Sequence, residues 1–327
     1  MRIVNRLSNK FTVRAPRMED VEAVNELVSV VDLAEEGESD ATVEDLRAEW
    51  QTPGLNLATD AWLVVAPGER FVGYGVLTNT VGVRFRADGY VHPDYLGQGI
   101  GTLLVRATEQ RARQQVPQAP PGAQVAIYNG IITANQAANR LMEQEGYQLA
   151  RHFWRMQIDM LNGAPPAPEW PVGVAVRTFA PGQDDRTTFD AMEDAFRDHW
   201  GYLPWRYDVW HHRMMEREDF EPDLWFLAVD GDQVTGGALC YAHPNNGWVS
   251  QLGVRRPWRR MGLGLALLNH AFGEFYRRGQ RRVDLGVDSQ NPTGATRLYQ
   301  RAGMHIARQF SSYQKVLRAG EELSVAA

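Results

Sequence analysis

The sequence predicts an α/β protein built from two tandem copies of one domain. A proline-rich segment, residues 161–172, lacks periodicity and indicates a semi-rigid linker between two similar halves. Each half opens with a short β-like run, at residues 11–14 and 174–177, and continues through a helical region into a predicted hairpin. The length of 327 residues suits two domains that each bury a core. We therefore place the domains at residues 1–160 and 173–327.

A strand, a glycine pair and an amphipathic helix follow the hairpin in both halves. Eight positions separate Val91 from Gly99 in the first half, and eight separate Val254 from Gly262 in the second. Glycine lets the backbone approach a ligand closely, and the free N–H groups of a first helical turn face an anion such as pyrophosphate. A Gly-x-Gly pair on its own is equally compatible with a simple tight turn.

Composition limits the classes of function. The net charge of −6 argues against a general nucleic-acid binder. Cys240 is the single cysteine, so an intrachain disulfide is excluded. The first residues lack the apolar region of a signal peptide, and no apolar run approaches the ~20 residues of a membrane span. We expect a cytoplasmic monomer or homodimer with no nucleic-acid or membrane partner.

Two motifs in each half resemble those of the GNAT acetyltransferase superfamily. The second half matches the pyrophosphate motif Arg/Gln-x-x-Gly-x-Gly/Ala from Arg259 to Gly264, whereas the first has Leu96 in place of the Arg or Gln. The closing motif, Asn followed by Ala and Leu-Tyr ahead of a glycine, is similar from Asn291 in the second half and from Asn135 in the first. The tandem arrangement is similar to that of the mycothiol synthases, which does not fix the substrate.

The resemblance implies a mixed α/β sheet whose central strands splay apart around acetyl-CoA, the implied co-substrate, with no metal. In each half, the glycine turn would hold the pyrophosphate of CoA, and the strand before the turn would bond to the pantetheine arm. In the second half the implied binding residues are Leu252, Val254, Arg259, Arg260, Met261, Gly262, Leu263, Gly264 and Asn291. Their first-half counterparts are Val91, Gly97, Gly99 and Gly101.

Four arginines fall in a stretch of six residues at the second glycine turn, at positions 255, 256, 259 and 260. They suit the phosphates of CoA, although a solvated charged turn is the alternative. We expect Arg259 and Arg260 to contribute most. Asn291 has two open roles, a contact with the CoA arm or a cap on the following helix; for Asn135 capping is favoured.

Tyr299 occupies the tyrosine position of the closing motif. In the family a tyrosine at this place commonly gives a proton to the departing thiolate, whereas the alternative is a tyrosine packed in the core. The first half has Met142 here, and a thioether cannot donate a proton. Together with Leu96, this difference places catalysis in the second half.

A general base is harder to identify. The strand before the second glycine turn holds no carboxylate, and the counterpart of its Gln251 in the first half is Asp88. His199 is one candidate base, and a base from elsewhere or one acting through water is the alternative. His211 and His212 are adjacent on a predicted helix and should point apart, so no metal site is expected.

The acceptor side of the second half is rich in aromatic residues. Helical spacing predicts core positions for Phe189, Met192 and Phe196. Residues 198–201 form a predicted turn, and aromatic walls with an aspartate would suit a cationic amine. Residues 32–49 of the first half are acidic and lack aromatics, so no pocket is expected there.

Three functions are compatible with these patterns. The first is N-acetyl transfer from acetyl-CoA to a small-molecule amine. The second is transfer to a peptide or protein amine, which would need an open groove. The third is a non-catalytic acyl-CoA-binding sensor or scaffold, which the missing carboxylate base favours. In each case we expect the first half to be structural or to bind CoA weakly.

Overall fold

The computed structural model describes residues 10–79 and 82–324, which fall into two compact units. The first unit holds the described residues up to Arg151 together with Phe310–Leu323. The second holds His152–Gln309. Each unit is an α/β domain with a mixed sheet, as predicted, and helices cover both faces of the sheet.

In its described part, the first unit contains five strands of its own and five α-helices. Its strands are β1 (Thr12–Arg14), β2 (Ala61–Ala66), β3 (Arg70–Asn79), β4 (Arg84–Val91) and β5 (Val125–Ile132). Its helices are α1 (Val21–Glu36), α2 (Val43–Trp50), α3 (Leu57–Asp60), α4 (Ile100–Gln115) and α5 (Gln136–Gln144). A long strand, β6 (Gln148–Asp159), leaves this unit and enters the second.

The second unit repeats the pattern after the proline-rich segment. Its strands are β7 (Ala175–Thr178), β8 (Trp225–Asp230), β9 (Gln233–Ala242), β10 (Gly247–Val254) and β11 (Arg282–Asp288). Its helices are α6 (Asp185–Phe196), α7 (Tyr207–Met215), α8 (Leu263–Arg277) and α9 (Ala295–Arg301). The last strand, β12 (His305–Arg318), begins in this unit and ends in the first.

The final strands of the two halves are exchanged between the sheets. Within the first unit the strand order is β1-β2-β3-β4-β5-β12, and within the second it is β7-β8-β9-β10-β11-β6. Phe310 to Arg318 of β12 pair antiparallel with β5, and Phe153 to Asp159 of β6 pair antiparallel with β11. The predicted domain limits at residues 160 and 173 divide the chain into two continuous halves. In the structure, each half's sheet is completed by a strand that belongs to the other half.

Each sheet is mixed and buried on both faces. The pairs β4–β5 and β10–β11 are parallel, and the other pairs within the units are antiparallel. Along β2, Leu63 packs in the cluster that contains α1, while Val64 packs in the cluster that contains α4. Along β8, Leu227 faces the α6–α7 side and Phe226 the α8 side. Alternate side chains enter opposite layers, which explains why these strands are continuous apolar runs.

The corner between the first strand and the first helix is the same in both units. Arg14 donates two hydrogen bonds to Asp20, at 2.6 and 2.8 Å, and Arg177 donates two to Asp184, at 2.5 and 2.7 Å. These guanidinium contacts lower the pKa of both carboxyl groups. The repeat therefore extends from element order to individual bidentate ion pairs.

None of the helices in residues 10–79 and 82–324 has the length and apolar character that crossing a membrane requires.

Candidate active site

The two central strands of the second unit separate soon after they meet. The parallel register of β10 and β11 comprises Gly247 with Val283 and Trp248 with Asp284. β10 continues along β9 as far as Val254, with a bulge between Val249 and Gln251. Past Trp248, backbone groups of β10 that point away from β9 have no ladder partner in β11, so they can bond to a ligand between the strands. The implied pantetheine residues, Leu252 and Val254, lie on this separated stretch.

The equivalent strands of the first unit stay together for longer. β4 and β5 pair in parallel over four positions, from Arg84 with Ala126 to Ala87 with Asn129. The register of β3 and β4 runs without a shift from Phe85 to Val91. The bulge is therefore a feature of the second unit, in which the strand pair also separates earlier.

A left-handed backbone shapes both glycine turns. In the second unit we call residues 255–262 the glycine loop. Gly262 is the N-cap of α8 at a φ of 85°, and Arg260 has a φ of 66°. Gly99 and Gly97 occupy these places in the first unit, at 84° and 73°. A left-handed arginine costs roughly 1–2 kcal/mol, so a strained residue stands where the first unit has glycine.

No side chain caps the N-terminus of α8 or of α4 within the described structure. The first-turn N–H groups of each helix are therefore open to an anionic ligand. This arrangement fits the predicted pyrophosphate contacts of Met261, Leu263 and Gly264, and of Gly101 in the first unit.

The second glycine of each pair permits close helix packing. A Cβ on Gly264 would lie 3.0 Å from Cδ1 of Leu298, and one on Gly101 would lie 3.2 Å from Cδ2 of Leu141. Both contacts join the glycine-capped helix to the helix of the closing motif. Because Leu298 precedes Tyr299, Gly264 also sets how closely Tyr299's helix approaches α8.

Three of the four arginines are held by protein groups. Arg255 bonds to Asp194 at 3.0 Å, and Arg256 bonds to Asp198 at 2.9 Å. Arg259 donates to Asp198 at 2.7 Å, to the Val254 carbonyl at 2.9 Å and to the Ala195 carbonyl at 2.8 Å. The side chain of Arg259 thus fixes the shape of the glycine loop.

Arg260 differs from these three arginines. It is exposed, and within the described structure it makes no hydrogen bond or ion pair. Its side chain is consequently the one of the four that a CoA phosphate would reach without breaking a protein contact. The contributions of Arg259 and Arg260 to CoA binding stay predictions.

Tyr299 is buried on α9, with 7% of its surface exposed, and belongs to the main core cluster of the second unit. Burial raises the pKa of Tyr299 to about 12. The phenol therefore stays protonated at neutral pH, as a general acid requires. Its first-unit counterpart, Met142, is also buried and has no proton to give.

His199 lies in the segment between α6 and α7, residues 197–206, which we call the aromatic loop. Burial lowers the pKa of His199 below its ordinary value of 6.5, and the charge of Arg259 lowers it further. Asp198 and Asp288 act in the opposite direction. A neutral imidazole can accept a proton, so the environment of His199 suits a general base.

The aromatic loop is fixed by ring contacts and by Glu193. The Trp200 ring lies 6.3 Å from the Phe153 ring of β6. Glu193 of α6 accepts hydrogen bonds from the Tyr202 hydroxyl at 2.8 Å and from the Trp205 N–H at 3.0 Å. Burial raises the pKa of Glu193. The loop is therefore an ordered wall beside the separated strands.

Two expectations about this region were wrong. Asp198 does not present a carboxylate to a cationic amine, because Arg256 and Arg259 occupy it and hold its pKa well below the usual range. His211 and His212 do not point apart: their Nδ1 atoms lie 3.0 and 2.9 Å from the two carboxylate oxygens of Glu216. The core positions of Phe189 and Met192 are confirmed, whereas Phe196 is only partly buried against the same cluster.

The two asparagines of the closing motifs act differently. Asn135 caps α5 by accepting the Ala138 N–H at 2.9 Å, as expected. Asn291 accepts the Thr293 N–H at 2.9 Å, while Gly294 is the N-cap of α9. Asn291 closes a turn before the helix, and its contact with the CoA arm stays a prediction.

Sequence reasoning missed Gln251 as a candidate site residue. Its Oε1 atom is buried and has no hydrogen-bond partner among the residues that the structure describes. A Cβ on Gly253, two residues later in β10, would touch Ala195 and Met192 of α6. Residues two apart in a strand share a face, so the side chain of Gln251 lies on the face of β10 that packs against α6. Where a carboxylate base was expected, β10 thus carries an amide that can still accept a hydrogen bond.

Comparison with known proteins agrees with this geometry. A family model described as the acetyltransferase (GNAT) family matches residues 26–147 and 189–304, one region in each half. The chain belongs to the GNAT acetyltransferase family. It is accordingly an acetyl-CoA-dependent acyltransferase with tandem GNAT regions.

Individual GNAT relatives match most of the chain. A mycothiol acetyltransferase from Acidothermus cellulolyticus is 32% identical over 254 residues, which is 72% of each protein. The crystal structure of a GCN5-related N-acetyltransferase from Sphaerobacter thermophilus is 41% identical, with a TM-score of 0.82 over 98% of this chain and 100% of that chain. A tandem GNAT protein from the clavulanic acid biosynthesis pathway shares the fold, with a TM-score of 0.66 at 14% identity over 95% and 100% of the chains.

Proposed function

We propose that this GNAT protein transfers the acetyl group of acetyl-CoA to the amine of a small molecule, and that the second unit carries the reaction. Two observations in that unit support the proposal. The bulged strand β10 separates early from β11, and the same unit contains the buried Tyr299. In the first unit the corresponding position is Met142. We propose a structural or weakly CoA-binding role for the first unit.

The proposed reaction is direct attack of the amine on the thioester. The amine nitrogen bonds to the carbonyl carbon, the carbon–sulfur bond breaks, and Tyr299 gives its hydroxyl proton to the departing sulfur. His199 takes the proton that the amine loses. The uncapped N-terminus of α8 and the exposed Arg260 would hold the pyrophosphate of CoA.

A small acceptor is favoured by the aromatic loop and by the relatives. The ring contacts and the Glu193 hydrogen bonds hold the aromatic loop in one arrangement, and a fixed aromatic wall suits a small acceptor. The curated relatives are named for acetylation of mycothiol. Because these relatives are only 32% and 29% identical to this chain, we propose a small-molecule amine as the class of acceptor and not mycothiol chemistry itself.

The decisive experiment measures release of free CoA from acetyl-CoA in the presence of a panel of amines. We expect release that depends on an amine and on Tyr299. Tight CoA binding without turnover on any acceptor would instead favour an acyl-CoA-binding sensor or scaffold.

The rate should depend on the ionisation of His199. Only the unprotonated amine can attack, so kcat/KM is expressed per concentration of unprotonated amine. Because the pKa of His199 is lowered, this kcat/KM should rise with pH through a value below 6.5 and then stay level, since Tyr299 keeps its proton up to about pH 12. A pH–rate profile measures this. In the variant His199→Gln the acidic limb should disappear; an unchanged limb in that variant would assign the base to another group.

Gln251 should bind the amine through its buried acceptor oxygen. A buried acceptor without a partner is unfavourable, and an amine N–H would satisfy it. Gln251→Leu, which keeps the volume but not the acceptor, should raise KM for the amine roughly 2- to 10-fold and leave KM for acetyl-CoA unchanged. Gln233→Leu, at the exposed β8–β9 turn, is the matched control. An equal change in both KM values would contradict this role.

A further inference from the structure

Asp198 joins the aromatic loop to the glycine loop. Its carboxylate accepts hydrogen bonds from Arg256 at 2.9 Å and from Arg259 at 2.7 Å. Arg259 also bonds to the carbonyls of Val254, at the end of β10, and Ala195, in the last turn of α6. One carboxylate and two guanidinium groups thus connect the aromatic loop, the glycine loop, β10 and α6 beside the opening between β10 and β11.

The connection places the candidate base under the control of the glycine loop. His199 follows Asp198 directly, and its N–H donates to the Phe196 carbonyl at 2.9 Å, so the turn is compact. Arg256 and Arg259 lie in the glycine loop, directly before α8, whose N-terminus is the proposed phosphate site. Any movement of the glycine loop on CoA binding would pass through Asp198 to His199.

The charges of this cluster oppose CoA binding. Asp198 neutralises one positive charge in a loop that must receive polyphosphate, and it occupies two guanidinium groups that could otherwise approach phosphate oxygens. On charge alone, a carboxylate at this place disfavours the binding of CoA phosphates. The cost in affinity needs a compensating role.

We propose that Asp198 is a positioning residue: it gives up part of the affinity for CoA in order to hold His199 in place, and so couples the cofactor side to the acceptor side. The coupling to catalysis rests on the proposed function, whereas the effect on CoA affinity does not. The proposal predicts effects of opposite sign on binding and turnover. A residue that merely supported the fold would weaken both.

Asp198→Asn tests the binding arm without any acceptor. Titration calorimetry with CoA should show about 2- to 5-fold tighter binding at low salt, because one negative charge beside the phosphates is removed, and the gain should shrink at high salt. Asp190→Asn is the matched control: it lies on α6 in an exposed pair with Arg186, and CoA affinity should not change.

Kinetics with the same variant test the positioning arm. Asp198→Asn should lower kcat at least about tenfold, because the base is no longer held at the acceptor. The acidic limb of the pH profile should move to lower pH, since Asp198 favours the protonated imidazole while Arg259 opposes it and Asp288 remains. Asp198→Glu, which keeps the charge, should recover part of kcat.

A second variant approaches the cluster from the other partner. Arg256→Gln removes a side chain that is 61% exposed, so folding should survive. This variant should lower kcat without increasing the affinity for CoA. Unchanged CoA affinity and kcat in Asp198→Asn would overturn the proposal, and so would a parallel loss of both. If the parent protein shows no turnover with any amine, the proposed function fails, and CoA affinity still decides the charge effect.

Discussion

Replacing Tyr299 by phenylalanine should lower kcat by roughly 10²- to 10⁴-fold, the contribution typical of general acid catalysis. Phenylalanine preserves the ring of a side chain that is 7% exposed in the core of the second unit, and removes only the hydroxyl. KM for acetyl-CoA should change little. The measurement is steady-state release of free CoA with the best amine of the panel.

Tyr147→Phe is the matched control for this result. Tyr147 is buried in the first unit, and burial raises its pKa as it does for Tyr299. We expect full turnover in that variant and an unchanged melting temperature for Tyr299→Phe within a few degrees. Full turnover of Tyr299→Phe would remove its assigned role, and loss of turnover in Tyr147→Phe would move catalysis towards the first unit.

The repeated fold could be predicted from the sequence because the repeated features depend on residues that are close together in the chain. The equal spacing from Val91 to Gly99 and from Val254 to Gly262 reflects a strand end, a left-handed turn and a helix start, all set by nearby residues. The exchange of β6 and β12 was not predictable in this way. The pattern of a strand indicates which face is buried, but it does not name the neighbouring strand.

The candidate site shows the same division. Tyr299 was found because its motif is local, and its burial is confirmed. The ion pair of Arg259 with Asp198 could not be predicted, because the two residues are 61 positions apart in the chain. Four clustered arginines indicate a positive loop, but only the fold determines which of them is already paired.

The exchange of strands makes a sharp prediction about truncated chains. A fragment of residues 148–309 contains β6 and His152–Gln309 of the second unit, and should fold. A fragment of residues 173–327, cut at the predicted domain limit, should not. It loses the β6 pairing along β11, from Arg282 with Asp159 to Asp288 with Phe153, and the buried side chains of Met156 and Ile158.

The energies involved make the contrast large. Each of these two buried side chains contributes about 1.5–3 kcal/mol, before the loss of the ladder, against a typical stability of about 5–15 kcal/mol for a domain. Circular dichroism melting and amide NMR dispersion distinguish the fragments, which are of similar length. Cooperative melting of 173–327 together with failure of 148–309 would contradict the exchange. In the long chain, stopping at Gln309 should selectively destabilise the first unit, because β5 would lose the pairing that Phe310 to Arg318 provide.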